Sequence, residues 1–187
     1  MFSAALDLFL LCKLPFAQFT FSRTLSALAI TILSCLFMFT PSMQKHMTDP
    51  KMGAQVVVVL LIVSGWIDFI VQLVITKWWM KRGHRWDGQG DLFNLILASE
   101  LLASCLSRPL SIMIEQQSEA YSPLLFFVVS LFFYSVVVKA NALSGAIPKA
   151  TLSYSFAGVV IAGGLARVIA VISEFLLLLL REAVNTN

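Results

Sequence analysis

Five charged residues lie inside stretches of the sequence that are otherwise almost entirely apolar, and they are the first candidates for chemistry. They are Asp68, Glu100, Arg108, Arg167 and Glu174. A charge in the middle of a membrane-spanning helix costs about 2.5–3.5 kcal/mol on insertion scales, so each one needs a partner or a function. We treat the five residues together as an intramembrane charge cluster.

The spacing of these residues predicts which of them can meet. Glu100 and Arg108 lie about two helical turns apart, as do Arg167 and Glu174, so each couple lies on one face of its helix. Counted from the ends of the apolar stretches, Asp68 and Glu100 lie at similar depths. We predict that these two acids pack around Arg167, and that Arg108 pairs with Glu174.

Two interpretations of the charge cluster stay open. In the first, the acids and bases form a proton or ion relay, or line a pocket for a polar substrate, because ionisable groups within the membrane commonly mark such paths. In the second, they are ion pairs that fix the register of neighbouring helices. A balanced set of three acids and two bases is compatible with both.

The elements that position these residues are predicted to be membrane helices. The chain of 187 residues is 59% hydrophobic and only 12% charged, with a mean hydropathy of +0.88, whereas a soluble domain carries about 25% charged residues. Its apolar blocks approach the roughly 20 residues that cross a bilayer. We predict an all-α, polytopic membrane protein: a short interfacial helix in residues 1–18, then five transmembrane helices in a single membrane domain, 1–187. The spans are 20–40, 54–77, 92–114, 123–138 and 153–180.

The polar stretch Lys77–Asp91 separates the second and third predicted spans and carries a basic group, namely Lys77, Lys81, Arg82 and Arg85. This group either fixes the topology of the chain or binds anionic lipids or a partner. With the N-terminus inside, eight Lys and Arg residues fall on the cytoplasmic side and three outside. The eight are Lys13, Arg23, Lys77, Lys81, Arg82, Arg85, Lys139 and Lys149; the three are Lys45, Lys51 and Arg181. The bias predicts a cytoplasmic N-terminus and an external C-terminus.

Signals for an enzyme, a metal or a cofactor are missing from the sequence. His46 and His84 fall on opposite sides of the predicted membrane and cannot share a metal ion, and no catalytic or phosphate-binding motif occurs. Asp87 and Asp91, with His84, are the only candidates for chemistry on a lipid. Gly88 and Gly90 flank a turn that precedes Asp91, which we predict to cap the next helix. The net charge of +3 is too small to indicate nucleic-acid binding.

Three sequence stretches resemble members of the bacterial Yip1 family. They are FTFSRTLSALAI at the first span, GQGDLFNLILASELL at the start of the third, and NALSGAIPKATLSYSFAGVVIAG at the entry to the last. The resemblance covers most of the chain and implies a five-helix domain in the inner membrane of a bacterium. The third span departs from the family pattern, because Arg108-Pro109 stands where an aromatic-proline signature is expected.

The function predicted from these features is that of a non-enzymatic membrane protein: a scaffold, an assembly factor or an accessory subunit of a membrane complex. The alternative is a small transporter or permease component that uses the Asp, Glu and Arg residues of the charge cluster as a relay. Membrane lipids are the expected partners, together with another membrane protein or a second copy of the chain. No cofactor, metal or nucleic acid is expected.

Overall fold

The computed structural model describes residues 1–39, 44, 54–116 and 122–185. Within these ranges the chain forms six α-helices, and two short 3-10 helices flank the second of them. The α-helices are α1 (Phe2–Phe9), α2 (Arg23–Cys35), α3 (Ala54–Arg82), α4 (Leu92–Gln116), α5 (Ser122–Ala146) and α6 (Leu152–Asn185). The 3-10 helices are Phe16–Gln18 and Leu36–Phe39. The predicted all-α class is confirmed.

Four helices, α3 to α6, are long and apolar enough to cross a membrane. Since a lipid environment requires every backbone polar group to be paired within the segment, such helices indicate an integral membrane protein. The first predicted span, 20–40, corresponds to the shorter apolar helix α2, which has 13 residues. Four of the five predicted spans are therefore present as long apolar helices among the described residues, and Thr40 lies outside that part of the chain.

The ends of the helices follow local sequence signals, with one difference from prediction. Ser22 accepts a hydrogen bond from the backbone of Leu25 at the start of α2, and Asp91 Oδ1 accepts one from the backbone of Asn94 at 3.1 Å, which confirms the predicted cap of α4. The fourth predicted span, 123–138, ends too early, because α5 continues to Ala146. Residues 139–146 contain good helix formers, and the helix ends just before Pro148.

The helices form a closed ring in which sequence neighbours are not always spatial neighbours. Going around the ring, α2 packs on α3, α3 on α6, α6 on α5, α5 on α4, and α4 again on α2. The helix α3 therefore packs mainly along α6 and much less along α4, which follows it in the chain. A glycine makes one of these approaches possible: a Cβ on Gly65 of α3 would lie 1.9 Å from Ser34 Oγ of α2.

The N-terminal segment packs against the bundle rather than lying apart from it. The helix α1 lies on α4 and α5 and buries Ala4, Ala5 and Leu8. The hydroxyl of Tyr134, midway along α5, donates a hydrogen bond to the backbone carbonyl of Phe9. The predicted interfacial helix is thus tied to the middle of a long apolar helix.

Candidate functional site

A chain of four polar side chains connects three helices inside the ring. Asp68 Oδ2 on α3 accepts a hydrogen bond from Gln72 Nε2, one turn further on, at 2.9 Å. Gln72 Oε1 accepts one from Lys139 Nζ on α5 at 2.8 Å. The same ammonium group lies 3.2 Å from Glu100 Oε1 on α4. We call Asp68, Gln72, Lys139 and Glu100 the polar chain.

The polar chain is largely buried, but its charged side chains are partly exposed. Gln72 is buried, while the side chains of Lys139 and Glu100 are 12% and 22% exposed. Asp68 is half-buried, and its Oδ1 atom accepts no hydrogen bond from the described residues. No charged side chain in the described part of the chain is fully buried. The two acids of the predicted charge cluster that belong to the polar chain, Asp68 and Glu100, are therefore partly accessible.

Arg167 lies near this network but does not form its centre. Its side chain is exposed on α6, and its charge is close enough to Asp68 to interact with it electrostatically, as are the charges of Glu100 and Lys139. Within the described residues, Glu100 pairs with Lys139 instead of Arg167. Arg167 thus lies near the two acids, but the base that contacts Glu100 is a lysine from α5.

The second predicted pair, Arg108 with Glu174, involves side chains outside the described part of the structure. Their backbones belong to α4 and α6. Their pairing stays a prediction.

A cavity of about 230 Å³ opens beside the polar chain, between α4, α5 and α6. Glu100, Lys139 and Arg167 supply its charged groups, and one wall is apolar, from Leu131 and Phe132. Four serines add hydroxyl groups: Ser104, Ser107, Ser111 and Ser135. The cavity is large enough for several water molecules or a small polar solute, and its lining offers both charges and neutral hydrogen-bonding groups.

Lys139 is the member of this site that sequence reasoning missed. The predicted spans place a loop at this position, so its charge counts with the cytoplasmic residues. The signal that places it in a helix is the stretch that follows, residues 141–147. This stretch contains no proline, so the helix of the span can continue until just before Pro148. A lysine with helical sequence on both sides belongs to the span, where it needs an acid as its partner.

The basic group at the end of α3 is exposed, as a role in topology or in docking requires. Its side chains have different surroundings. Lys77, Lys81, Arg82 and Arg85 are exposed. The guanidinium of Arg82 stacks over Trp78, 5.0 Å from the ring centroid. The other two basic residues near the turn, Lys81 and Arg85, line a separate cavity at this end of the bundle.

The residues considered for chemistry on lipids have structural partners. Asp91 caps α4 and forms a salt bridge with Arg23 at 3.1 Å, while Asp87 accepts a hydrogen bond from the backbone of Gln89. His84 is exposed in the turn after α3, with a positive φ of 52°, and His46 lies outside the described residues. Both carboxylates thus stabilise the turn and the helix start that follows it.

No protein-family model, curated protein or solved structure matches the sequence. The resemblance to bacterial Yip1-domain proteins therefore stays a prediction from the sequence patterns.

Proposed function

We propose that this protein is a non-enzymatic integral membrane protein that acts as a scaffold, an assembly factor or an accessory subunit of a membrane complex. The observation that carries the proposal is that the side chains of the polar chain bind one another across three helices. Gln72 and Lys139 direct their hydrogen-bonding groups to Asp68 and Glu100, and so tie α3, α4 and α5 together. Polar contacts of this kind hold membrane helices in a fixed arrangement.

The proposed setting is the inner membrane of a bacterium, crossed five times. The fifth crossing would be α2 with the 3-10 helix Leu36–Phe39. At 1.5 Å per α-helical and 2.0 Å per 3-10 residue, the two elements span roughly 28 Å, close to the roughly 30 Å of hydrocarbon. The contact between Arg23 and Asp91 puts the start of α2 beside the start of α4, as such a topology requires.

The basic residues support one orientation of this bundle. Lys81, Arg82, Arg85 and Lys149 gather at the end where α3 and α5 finish and α4 and α6 begin. Because cytoplasmic loops are enriched in Lys and Arg, this end is proposed to face the cytoplasm. Lys139 is not counted among the basic residues of the cytoplasmic loops, since it lies inside α5. The N-terminus would then be cytoplasmic and the C-terminus external.

Purification of the intact protein from its native membrane in a mild detergent tests the scaffold function. The stoichiometry of co-purifying membrane proteins is measured by mass spectrometry, and the mass of the particle by light scattering, against an untagged control. A membrane partner or a second copy at a fixed ratio is the expected result. A monomer that carries no protein would contradict the proposal.

The cavity beside the polar chain favours a second function, that of a small transporter or permease component. Its volume of about 230 Å³ and its lining by Glu100, Lys139 and Arg167 suit a polar solute or a file of water molecules. A relay through these groups would require water to reach them from at least one side of the membrane.

Thiol labelling separates the two functions on a single helix. Ser104→Cys and Ser107→Cys, each in a variant without other cysteines, place a thiol at the wall of the cavity on α4. The matched control retains only Cys105, which is exposed on the same helix and does not line the cavity. Under the scaffold proposal, a membrane-impermeant polar reagent leaves all three thiols unmodified in intact membranes. Rapid modification of either introduced thiol, while that of Cys105 stays unmodified, would favour the transporter.

A further inference from the structure

A second and larger cavity lies at the end of the bundle where the basic residues gather. It has a volume of about 640 Å³ and is formed mainly by two segments: the last turn of α3 with the turn that follows it, and the loop between α5 and α6. Its lining includes Lys81, His84 and Arg85 from the first segment, Lys149 from the second, and the rings of Phe16 and Trp86. A volume of this size is typical of sites that hold small molecules or cofactors.

The charge of this cavity is strongly unbalanced. Three cationic side chains, Lys81, Arg85 and Lys149, face one carboxylate, that of Asp87. Neither of the two salt bridges found among the described residues involves any of these four. The Oδ1 atom of Asp87 accepts a hydrogen bond from the backbone N–H of Gln89 at 2.9 Å, within the turn that follows α3. The cavity therefore carries an excess of positive charge over the single carboxylate of Asp87, which favours an anionic ligand.

Contacts within and between these segments, and with α6, restrain two of the three cationic groups, Arg85 and Lys81, before any ligand binds. Arg85 donates a hydrogen bond from Nη1 to the backbone carbonyl of Lys149 at 3.1 Å, and its guanidinium lies 5.4 Å from the ring centroid of Tyr154. Lys81 Nζ lies 5.9 Å from the ring centroid of Trp86, and Trp86 Nε1 in turn donates to the carbonyl of Gln89. Fixed donors lose less conformational entropy when they bind, so a preorganised site gains affinity.

The position of the cavity identifies the source of the anion. It lies at the ends of α3 and α5 and the start of α6, three helices long and apolar enough to cross a membrane. A phosphate in this position is most readily that of a phospholipid headgroup, which Lys and Arg side chains bind through charge-assisted hydrogen bonds. The rings of Phe16 and Trp86 add the aromatic surface that is common at the level of headgroups.

We propose that the cavity lined by Lys81, Arg85 and Lys149 binds the phosphate of an anionic phospholipid headgroup. This site is independent of the scaffold function, since it uses other residues at another depth of the bundle. It also divides the basic group predicted from the sequence: Lys81 and Arg85 bind the headgroup, whereas Lys77 and Arg82 do not line the cavity.

Titration of the full-length protein with short-chain phosphatidylglycerol in an uncharged detergent tests the proposal. Binding is followed by native mass spectrometry and by the shift in melting temperature. Phosphatidylcholine serves as the lipid control and inorganic phosphate as the soluble source of the same anion. We expect saturable binding of phosphatidylglycerol and at least tenfold weaker binding of both controls. Equal binding of phosphatidylcholine would overturn the site, and equally tight binding of inorganic phosphate would overturn its assignment to a lipid.

Two charge-matched double variants show whether the binding of phosphatidylglycerol depends on the cavity or on the general surface charge. Lys81→Gln with Lys149→Gln removes two cavity charges and should weaken binding about thirtyfold, at about a factor of five to six for each lysine. Lys77→Gln with Arg82→Gln removes two charges from the same end of α3 and should change binding less than threefold. Equal losses in both double variants would contradict the proposal. Should the first double variant not fold, Lys149→Gln alone alters one exposed loop side chain and should still weaken binding about five- to sixfold.

Discussion

Trp79 on α3 and Tyr154 on α6 each donate a hydrogen bond to the backbone carbonyl of the other. Trp79 Nε1 lies 3.2 Å from the carbonyl oxygen of Tyr154, and Tyr154 Oη lies 2.8 Å from that of Trp79. The two rings stack, with centroids 5.1 Å apart. The absence of a side chain at Gly158 allows this approach, because a Cβ there would lie 2.6 Å from Trp79 Cδ1. This pair fastens together two helices that are distant in the sequence.

Replacing Tyr154 with Phe should destabilise the bundle by about 1 kcal/mol. The substitution keeps the stacked ring but removes the hydroxyl that bonds to the carbonyl of Trp79, and a hydrogen bond of this kind contributes about 0.5–1.5 kcal/mol net. Tyr154→Leu should cost about 1 kcal/mol more, since the stacking is lost as well. The free energy of unfolding is measured by denaturant titration in mixed micelles. Phe156→Leu, at an exposed position on the same helix, is the control and should have little effect.

Removing one partner of the Lys139–Glu100 pair should destabilise the protein more than removing both. Lys139→Met leaves Glu100 without its counter-ion and Gln72 Oε1 without its donor, at a cost of about 3 kcal/mol. Adding Glu100→Gln removes the unpaired charge and should recover part of that loss. A double-mutant cycle on the free energy of unfolding should give a coupling of about 1–3 kcal/mol.

The same cycle on Asp68→Asn and Arg167→Gln provides the comparison. Arg167 is exposed, and neither salt bridge among the described residues links it to Asp68, so the coupling should be smaller than that of Lys139 with Glu100. The opposite order would mean that Arg167, as the sequence predicts, is the base that holds the two acids.

Asn94→Ala should be among the most damaging single substitutions outside the polar chain. Asn94 is fully buried, and its amide nitrogen donates to the backbone carbonyls of Phe19 and Phe21 at 2.9 and 3.0 Å. Its Oδ1 atom accepts from Ser26 Oγ at 2.7 Å. Truncation leaves several buried polar groups unpaired at about 1–3 kcal/mol each, so we expect a total loss of about 3 kcal/mol.

Asn141→Ala is the matched control for this prediction. Asn141 is also buried, but its side chain makes a single described hydrogen bond, from Nδ2 to the carbonyl of Leu11 at 2.8 Å. Its loss should cost about 1 kcal/mol. Similar melting temperatures for the two variants would show that the network around Asn94 does not anchor the segment before α2.

Gly65→Ala should loosen the contact between α2 and α3, whereas Gly163→Ala should not disturb the bundle. A Cβ at Gly65 would lie 1.9 Å from Ser34 Oγ and 2.8 Å from Ser34 Cβ, while a Cβ at Gly163 would meet no atom within 4 Å. Ser34 cannot turn away freely, because its hydroxyl donates to the carbonyl of Ile30. Overpacking of this kind costs about 1–3 kcal/mol.

The expected result is a lower melting temperature for Gly65→Ala and an unchanged or higher one for Gly163→Ala, where alanine favours the helix by up to about 1 kcal/mol. A stable Gly65→Ala variant would show that α2 can move away from α3 without loss.

The sequence by itself determined the all-α class and the approximate positions of four long apolar helices, α3 to α6. Helix formation in an apolar segment is a local property, because every backbone hydrogen bond closes within four residues. The same locality made the cap at Asp91 predictable. It also allowed Asp68, Glu100 and Arg167 to be selected, since a charge between apolar residues is visible in any single stretch.

Only the tertiary structure decided which of these charges meet. The partner of Glu100 is Lys139, a residue placed in a loop from the sequence, and α3 lies along α6 instead of α4. Pairing depends on the rotation and the neighbours of each helix. These are set by close approaches such as that of Gly65 to Ser34, and by contacts such as that of Trp79 with Tyr154. In helices that are apolar on nearly every side, the pattern of hydrophobic residues does not mark the face that will meet a given neighbour.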